Sequence, residues 1–345
     1  MNILTIRKPD DFHIHLRDGN ALKLTVDHAA RQFRRAMIMP NLVPPIDSVK
    51  WAAEYRERIL SHVKLNSFEP LMTLYLTEQI TPAVINEAVS SAFIKAVKLY
   101  PAGATTHSDS GITNLQLFDS VFDVMQKHKL PLLIHGEVTD SNIDIFDREA
   151  IFIDRYLMPL RRKFPELKIV LEHVSSKAGV DFVKSESQFT AATITVHHLW
   201  LTRNDLLVGG LKPHYYCLPV VKTEADRIAI QQAAFSGDNR FFAGTDSAPH
   251  PRSRKEAASC AAGIYTAHAA VELYAQLFDQ AGQLQKLEAF LSEAGAKFYG
   301  MPLNTETILL KKQTWQVADY YEYDNDRLIP FQAGQTLSWK LDATN

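Results

Sequence analysis

The chain has 345 residues, with 37 basic side chains against 39 acidic ones and a formal net charge of −2. Hydrophobic residues make up 46% and charged residues 22%, which is enough apolar material to bury a large core and excludes a disordered chain. The near balance of charge, with no Lys/Arg block, excludes a surface built to track a phosphate backbone.

Two cysteines, Cys217 and Cys260, are too few for a disulfide framework and fit a reducing compartment. The opening Met-Asn-Ile-Leu-Thr-Ile-Arg-Lys-Pro-Asp lacks the apolar core of a secretion signal, and no run approaches membrane-spanning length. The expectation is a soluble, cytoplasmic protein with neither nucleic acid nor membrane as partner.

Along the chain, short apolar runs alternate with longer amphipathic stretches, as when each parallel strand is followed by a crossover helix. The runs are Phe12 to His15, Ala36 to Pro40, Phe68 to Leu76, Ile94 to Leu99, Leu132 to His135, Ile169 to His173, Thr193 to His197 and Phe241 to Thr245. Between them, Trp51 to His62, Pro82 to Ser91, Leu115 to Lys127 and Thr223 to Ala234 read as helices. Eight such units suit a closed (β/α)8 TIM barrel better than an open doubly wound sheet. Further helices are expected from Lys255 to Gln280 and from Leu287 to Phe298. The tail from Thr305 to Leu341 alternates apolar and polar residues around Trp315, Tyr320, Tyr321 and Trp339, and reads as strands packed on the barrel. The expected organisation is one α/β hydrolase domain over residues 1–345, a barrel at about 8–300 with a C-terminal extension at about 301–345.

Coordinating side chains fall at the ends of these runs. His13 and His15 end the first, Lys98 lies in the fourth, His135 and His173 end the fifth and sixth, and Asp246 follows the eighth. Barrel strands converge at their C-terminal ends on one mouth, so these scattered residues meet around a single point. At alternate strand positions His13 and His15 point the same way and can hold one metal ion. Alone, the pair is equally compatible with two ordinary buried histidines; the further ligands at other strand ends favour the metal. His28, His62, His128 and His268 lie in helical stretches and are assigned to surface or core. His197 and His198 end the seventh run, where only one can face the mouth, and a supporting or structural role is expected.

Lys98 sits in Ile-Lys-Ala-Val-Lys-Leu-Tyr-Pro, and lysine is seldom buried without a special partner. Two readings stay open on the residues alone. The side chain snorkels to the rim, as expected of Lys95, or its desolvated amine reacts with carbon dioxide to give a carbamate able to bridge two divalent ions. Arg17, two residues beyond His15 on the same strand face, aims its planar fork into the mouth, where it suits a carboxylate; pairing with an acidic neighbour such as Asp18 is the alternative. The segment Ala102 to Thr113, with Gly103, Gly111 and several hydroxyls, has little apolar anchoring and reads as a mobile lid or an ordinary surface loop.

Asp11-Phe12-His13-Ile14-His15-Leu16-Arg17-Asp18, Met39-Pro40-Asn41, Lys98-Leu99-Tyr100-Pro101, His135-Gly136-Glu137, Glu172-His173 and Gly244-Thr245-Asp246-Ser247-Ala248-Pro249-His250 resemble, in that order, the segments of the amidohydrolase superfamily and, within it, the single-domain dihydroorotases. The resemblance implies two zinc ions. His13, His15 and Asp246 would hold one and His135 and His173 the other, with a carboxylated Lys98 as the bridge. It also implies that Arg17, Asn41 and His250 bind the carboxylate of dihydroorotate, with His15 and His135 beside the substrate. The main chain at Leu218 and Ala262 would contact the ring and carboxylate, and a loop carrying Thr105 and Thr106 would close over them. Asp246 would carry the proton, and the enzyme would be a homodimer of pyrimidine biosynthesis. The competing readings are a cyclic amidase of dihydropyrimidinase or hydantoinase type, and a catalytically silent barrel serving as scaffold.

Overall fold

The computed structural model describes residues 2–64 and 68–342. A first strand, β1 (Ile3–Arg7), lies apart from the barrel. Then β2 (Asp10–Ile14), β3 (Arg35–Ile38), β4 (Glu69–Tyr75), β5 (Ile94–Leu99), β6 (Leu132–Ile134), β7 (Ile169–Leu171), β8 (Thr190–Ile194) and β9 (Phe241–Ala243) pair in sequence order into one eight-stranded parallel sheet. Helices such as Leu22–Gln32, Val49–Leu60, Pro82–Ser90, Asp119–His128, Lys177–Ser185 and Glu224–Ala234 lie between successive strands. Several start at a side-chain cap: Ser48, Thr81, Ser176 and Thr223 each accept a backbone N–H of the first turn, satisfying a donor the helix itself leaves free.

The sheet curls until its first and last strands meet. Asp246 N donates to His13 O at 2.8 Å and His15 N to Ser247 O at 3.0 Å. Asp11 reinforces the seam by accepting the Thr245 amide at 2.8 Å and its hydroxyl at 2.6 Å. The approach depends on Gly244, where a Cβ would lie 2.8 Å from the Thr193 side chain and 2.9 Å from His13 Cβ. Inside, every strand contributes to one buried cluster: Phe12, Met37, Leu71, Ala96, Leu133, Val170, Ala191 and Phe242. Full burial of the Phe, Met, Leu and Val side chains contributes roughly 1.5–3 kcal/mol each, with alanines filling the gaps, so the interior is a packed core and not a pore. Strand alternation then sets Lys98 and His135 one inward position above Ala96 and Leu133, towards the mouth.

The tail forms β10 (Thr307–Gln316), β11 (Tyr321–Tyr323), β12 (Asp326–Leu328) and β13 (Thr336–Leu341). The added sheet has the order β1-β10-β13, with Ile3 opposite Lys311, so the extension is shared between both ends of the chain and is not purely C-terminal. It rests on the helix Ala270–Gln280, where Trp339 is fully buried and donates its indole N–H to Asp279 at 3.1 Å.

Three expected boundaries change. The seventh run is strand only to Ile194, and His197 and His198 lie on the short helix Val196–Trp200, capped by the Thr195 hydroxyl. The helix expected from Lys255 to Gln280 is two pieces, Arg252–Lys255 and Ala270–Gln280; the Ala-rich stretch between them is irregular and lines the mouth. The segment from Leu287 to Phe298 contains a π-turn, Ala289–Glu293, before the helix Ala294–Tyr299.

Candidate active site

At the mouth, His13 Nε2, His15 Nε2 and one carboxylate oxygen of Asp246 converge. The two ring nitrogens are 3.3 Å apart, and Asp246 Oδ1 lies 3.3 Å from the first and 3.0 Å from the second. Such separations are those of ligand atoms about 2.0–2.2 Å from a shared tetrahedral ion. The opposite nitrogens are already engaged. His13 Nδ1 is 2.7 Å from Glu172 Oε2, which also accepts the Thr193 hydroxyl at 2.6 Å, and His15 Nδ1 is 2.8 Å from Asn41 Oδ1. Each acceptor holds a proton on Nδ1 and leaves the Nε2 lone pair free, the arrangement that orients histidine ligands.

A second pair stands beside the first. His135 Nδ1 and His173 Nε2 are 3.1 Å apart, and His135 Nε2 meets Glu137 Oε2 at 2.8 Å. Beneath them Lys98 is completely buried, its Nζ has no hydrogen-bond partner among the described residues, and it stands 4.9 Å from the Tyr100 ring centroid. Burial lowers its pKa to about 8, which raises the fraction present as free amine. Burial likewise lowers His15 to about 3 and takes His173 well below the ordinary imidazole value, so both are neutral near pH 7. Asp246 is held well below the usual carboxylate range because, against its own burial, His13 and His15 favour the charged form. The donors present, buried imidazoles, a carboxylate and an amine without an acceptor, fit a metal centre.

Backbone strain aims this site. His173 and Asp246 have φ of 40° and 44°, and Arg17 has φ of 61°, a left-handed conformation that side chains other than glycine adopt at a cost of order 1–3 kcal/mol. Arg17 therefore does not continue a strand face, since β2 ends at Ile14, and it is turned to the mouth by this kink. It donates to His250 Nε2 at 2.9 Å and to Pro249 O at 3.2 Å. Asp18 pairs instead with Arg58 at 2.8 Å. His250, lowered to about 2 by burial and by the Arg17 charge, is neutral and accepts from the guanidinium.

The segment with Thr105 and Thr106 is folded down over this cavity. Asn41 Nδ2 donates to Thr106 O at 3.0 Å, the Thr106 hydroxyl reaches Ala262 O at 3.4 Å, and Ser108 braces the turn through Thr105. Among the candidate residues, all but Lys98 and His250 line one cavity of about 330 Å³, counted out to where it opens to solvent.

His197, His198 and Cys217 also bring donor atoms within 4.8 Å of one another. The His198 nitrogens are taken by the Thr195 hydroxyl at 2.8 Å and Pro219 O at 3.0 Å, and the Cys217 thiol donates to the same carbonyl at 3.2 Å. That group braces the loop to Leu218. Sequence reasoning gave no role to Glu172, Glu137, Asp11 and Thr193, which hydrogen-bond to His13, His135 and the backbone of His13 and His173. Their signal was proximity in the chain: Glu172 adjoins His173, and Glu137 and Asp11 stand two residues from His135 and His13.

No family model matches the chain. Curated relatives match it over almost its whole length: a dihydroorotase of Nitrosomonas eutropha is 54% identical over 343 residues, covering 99% of both chains. The chain belongs to the dihydroorotase family. A dihydroorotase of Acidovorax is 54% identical over 341 residues, 99% of this chain and 98% of its own. Among solved structures, the dihydroorotase of Campylobacter jejuni is 35% identical with a TM-score of 0.91, covering 99% of this chain and 98% of its own. That of Saccharomyces cerevisiae, in complex with 5-fluoroorotic acid, is 32% identical with a TM-score of 0.92, covering 99% of both. The L-hydantoinase of Arthrobacter aurescens, 16% identical with a TM-score of 0.81 over 98% of this chain and 83% of its own, shares the fold alone. This dihydroorotase-family chain is thus a hydrolase acting on cyclic amides, and its family implies a metal cofactor. Among the described residues no helix is long and apolar enough to cross a membrane.

Proposed function

We propose that the protein interconverts L-dihydroorotate and N-carbamoyl-L-aspartate for pyrimidine synthesis at two zinc ions. His13, His15 and Asp246 hold one, His135 and His173 the other, and a carboxylated Lys98 bridges them. The observation that carries this reading is Lys98 itself, a buried amine without a hydrogen-bond partner among the described residues at the foot of both ligand groups. Its Nζ bonds to the carbon of carbon dioxide and loses one proton, turning an orphaned donor into an anionic pair of acceptors. When bound, the zinc pair lowers the pKa of water and polarises the scissile carbonyl.

The chain's own groups do the rest. Glu172, Asn41 and Glu137 fix the imidazole tautomers. Asp246, ionised and in reach of both His13 and His15, accepts the proton of the attacking water and delivers it to the departing ring nitrogen. Arg17, with Asn41 and neutral His250, receives the substrate carboxylate; the main chain at Leu218 and Ala262 borders the ring, and Thr105 and Thr106 cover it. A dihydropyrimidinase-type amidase has no substrate carboxylate for Arg17 to bind, and a silent scaffold has no need of the ligand set. The same reading takes residues 1–345 as one domain, working as a cytoplasmic homodimer. Purified protein supplied with zinc and bicarbonate should convert dihydroorotate to N-carbamoyl-L-aspartate and lose that activity to a chelator. Inactivity of the zinc-loaded protein in both directions contradicts the proposal.

A further inference from the structure

Outside the ligand set, one buried charge joins the parts of the mouth that are built from main chain alone. Lys255 ends the short helix Arg252–Lys255 and is only 3% exposed. Its Nζ donates to Tyr216 O at 2.8 Å, Ala261 O at 2.9 Å and Gly263 O at 2.7 Å. All three N–H groups of the ammonium are thereby used, and no carboxylate forms an ion pair with it among the described residues. A buried cation compensated by backbone dipoles and the face of the Tyr216 ring, 5.8 Å away, with no anion beside it, is costly to keep.

The three carbonyls bracket two residues. Tyr216 lies two positions before Leu218, and Ala261 and Gly263 stand on either side of Ala262. The same two segments also touch directly, with Gly263 N donating to Tyr216 O at 3.0 Å, while Ala261 N donates back to Arg254 O at 3.0 Å. The close approach needs glycine at 263, where φ is 148° and a Cβ would lie 2.6 Å from Ala248 O. An ammonium suits this point because its tetrahedral donors diverge from one small atom towards three carbonyls. A guanidinium spreads its donors in a plane and an amide offers two.

We propose that Lys255 is a positioning residue for substrate selection, clamping the backbone at Leu218 and Ala262 into the wall that receives the ring and carboxylate. The inference rests on the dihydroorotase reading above. Its charge also reaches His250 electrostatically, so it adds positive potential behind the anion site. The metal ligands stand on other strand ends, and removal of the clamp leaves them in place while the wall relaxes.

The test uses full-length, zinc-loaded enzyme carrying Lys255→Met, which keeps the stem and removes charge and donors, beside Lys255→Gln, which keeps two donors. Lys255→Met is expected to retain the wild-type zinc content and to raise KM for dihydroorotate roughly ten-fold or more, with kcat lowered less than about three-fold. Lys255→Gln should fall between it and the wild type, and it decides the matter if Lys255→Met does not fold. Wild-type KM in the variants, or kcat and zinc falling together with KM unchanged, overturns the inference. A wild-type enzyme that leaves dihydroorotate untouched sinks the functional reading and this inference with it, whereas active wild type beside unaltered variants sinks this inference alone.

Discussion

His15 and Asn41 meet at 2.8 Å, imidazole Nδ1 to amide Oδ1, and the same amide donates from Nδ2 to the carbonyl of Thr106 at 3.0 Å. One side chain therefore orients the His15 imidazole and latches the loop at Thr106. Removing it frees both. Asn41→Ala is expected to weaken zinc retention against a chelator about ten-fold, as losses around metal ligands do, and to lower kcat/KM by about ten- to a hundred-fold. Chelator competition and steady-state kinetics on the same preparation check it; unchanged zinc retention would show that Asn41 serves the loop or the substrate only.

Lys98→Ala replaces the proposed bridge by a methyl group and removes the anionic carbamate that would join the two ligand groups. The variant should lose one or both zinc ions and nearly all turnover, measured by metal analysis after gel filtration, and small carboxylic acids added back should restore part of the activity. Full zinc and full activity without them contradict the bridge.

Asp246→Asn keeps the size of the side chain and one oxygen ligand but cannot take a proton at neutral pH. Turnover should fall by about 10²–10⁴-fold, the usual contribution of a positioned acid–base group, with the fold intact by circular dichroism and zinc largely kept. An unaltered kcat would move the proton-carrying role to another residue, and His250, neutral and beside Arg17, is the next to test.

How much of this was legible in the sequence depends on what each signal measures. Lys98 and His135 could be placed because alternation along β5 and β6 runs unbroken from Ala96 and Leu133 to the mouth. His197 could not, because Thr193 to Trp200 is one polar–apolar mixture in which the chain turns from strand to helix at Thr195, and periodicity carries no mark of that turn. Arg17 was sought on a strand that had already ended at Ile14; a left-handed kink brings it to the mouth, and such a kink in a non-glycine residue leaves no trace in the sequence. Glu172 precedes His173 directly, and on a straight strand the two would face opposite ways. With the positive φ at His173, its imidazole and the Glu172 carboxylate that grips His13 both face the mouth.

Arg17 is the group that decides whether this site serves a ring bearing a carboxylate. The direct measurement is kcat/KM for dihydroorotate beside dihydrouracil, which lacks the carboxylate, with zinc-loaded wild type and Arg17→Ala. Charge-assisted hydrogen bonds contribute roughly 1.5–3 kcal/mol each, so the account predicts a strong wild-type preference for dihydroorotate. Arg17→Ala should lower the dihydroorotate value by about ten-fold to a few hundred-fold and leave dihydrouracil no worse than in the wild type. Equal wild-type efficiency on the two rings, or undiminished dihydroorotate turnover in Arg17→Ala, contradicts the account and returns the protein to the wider class of cyclic amidases.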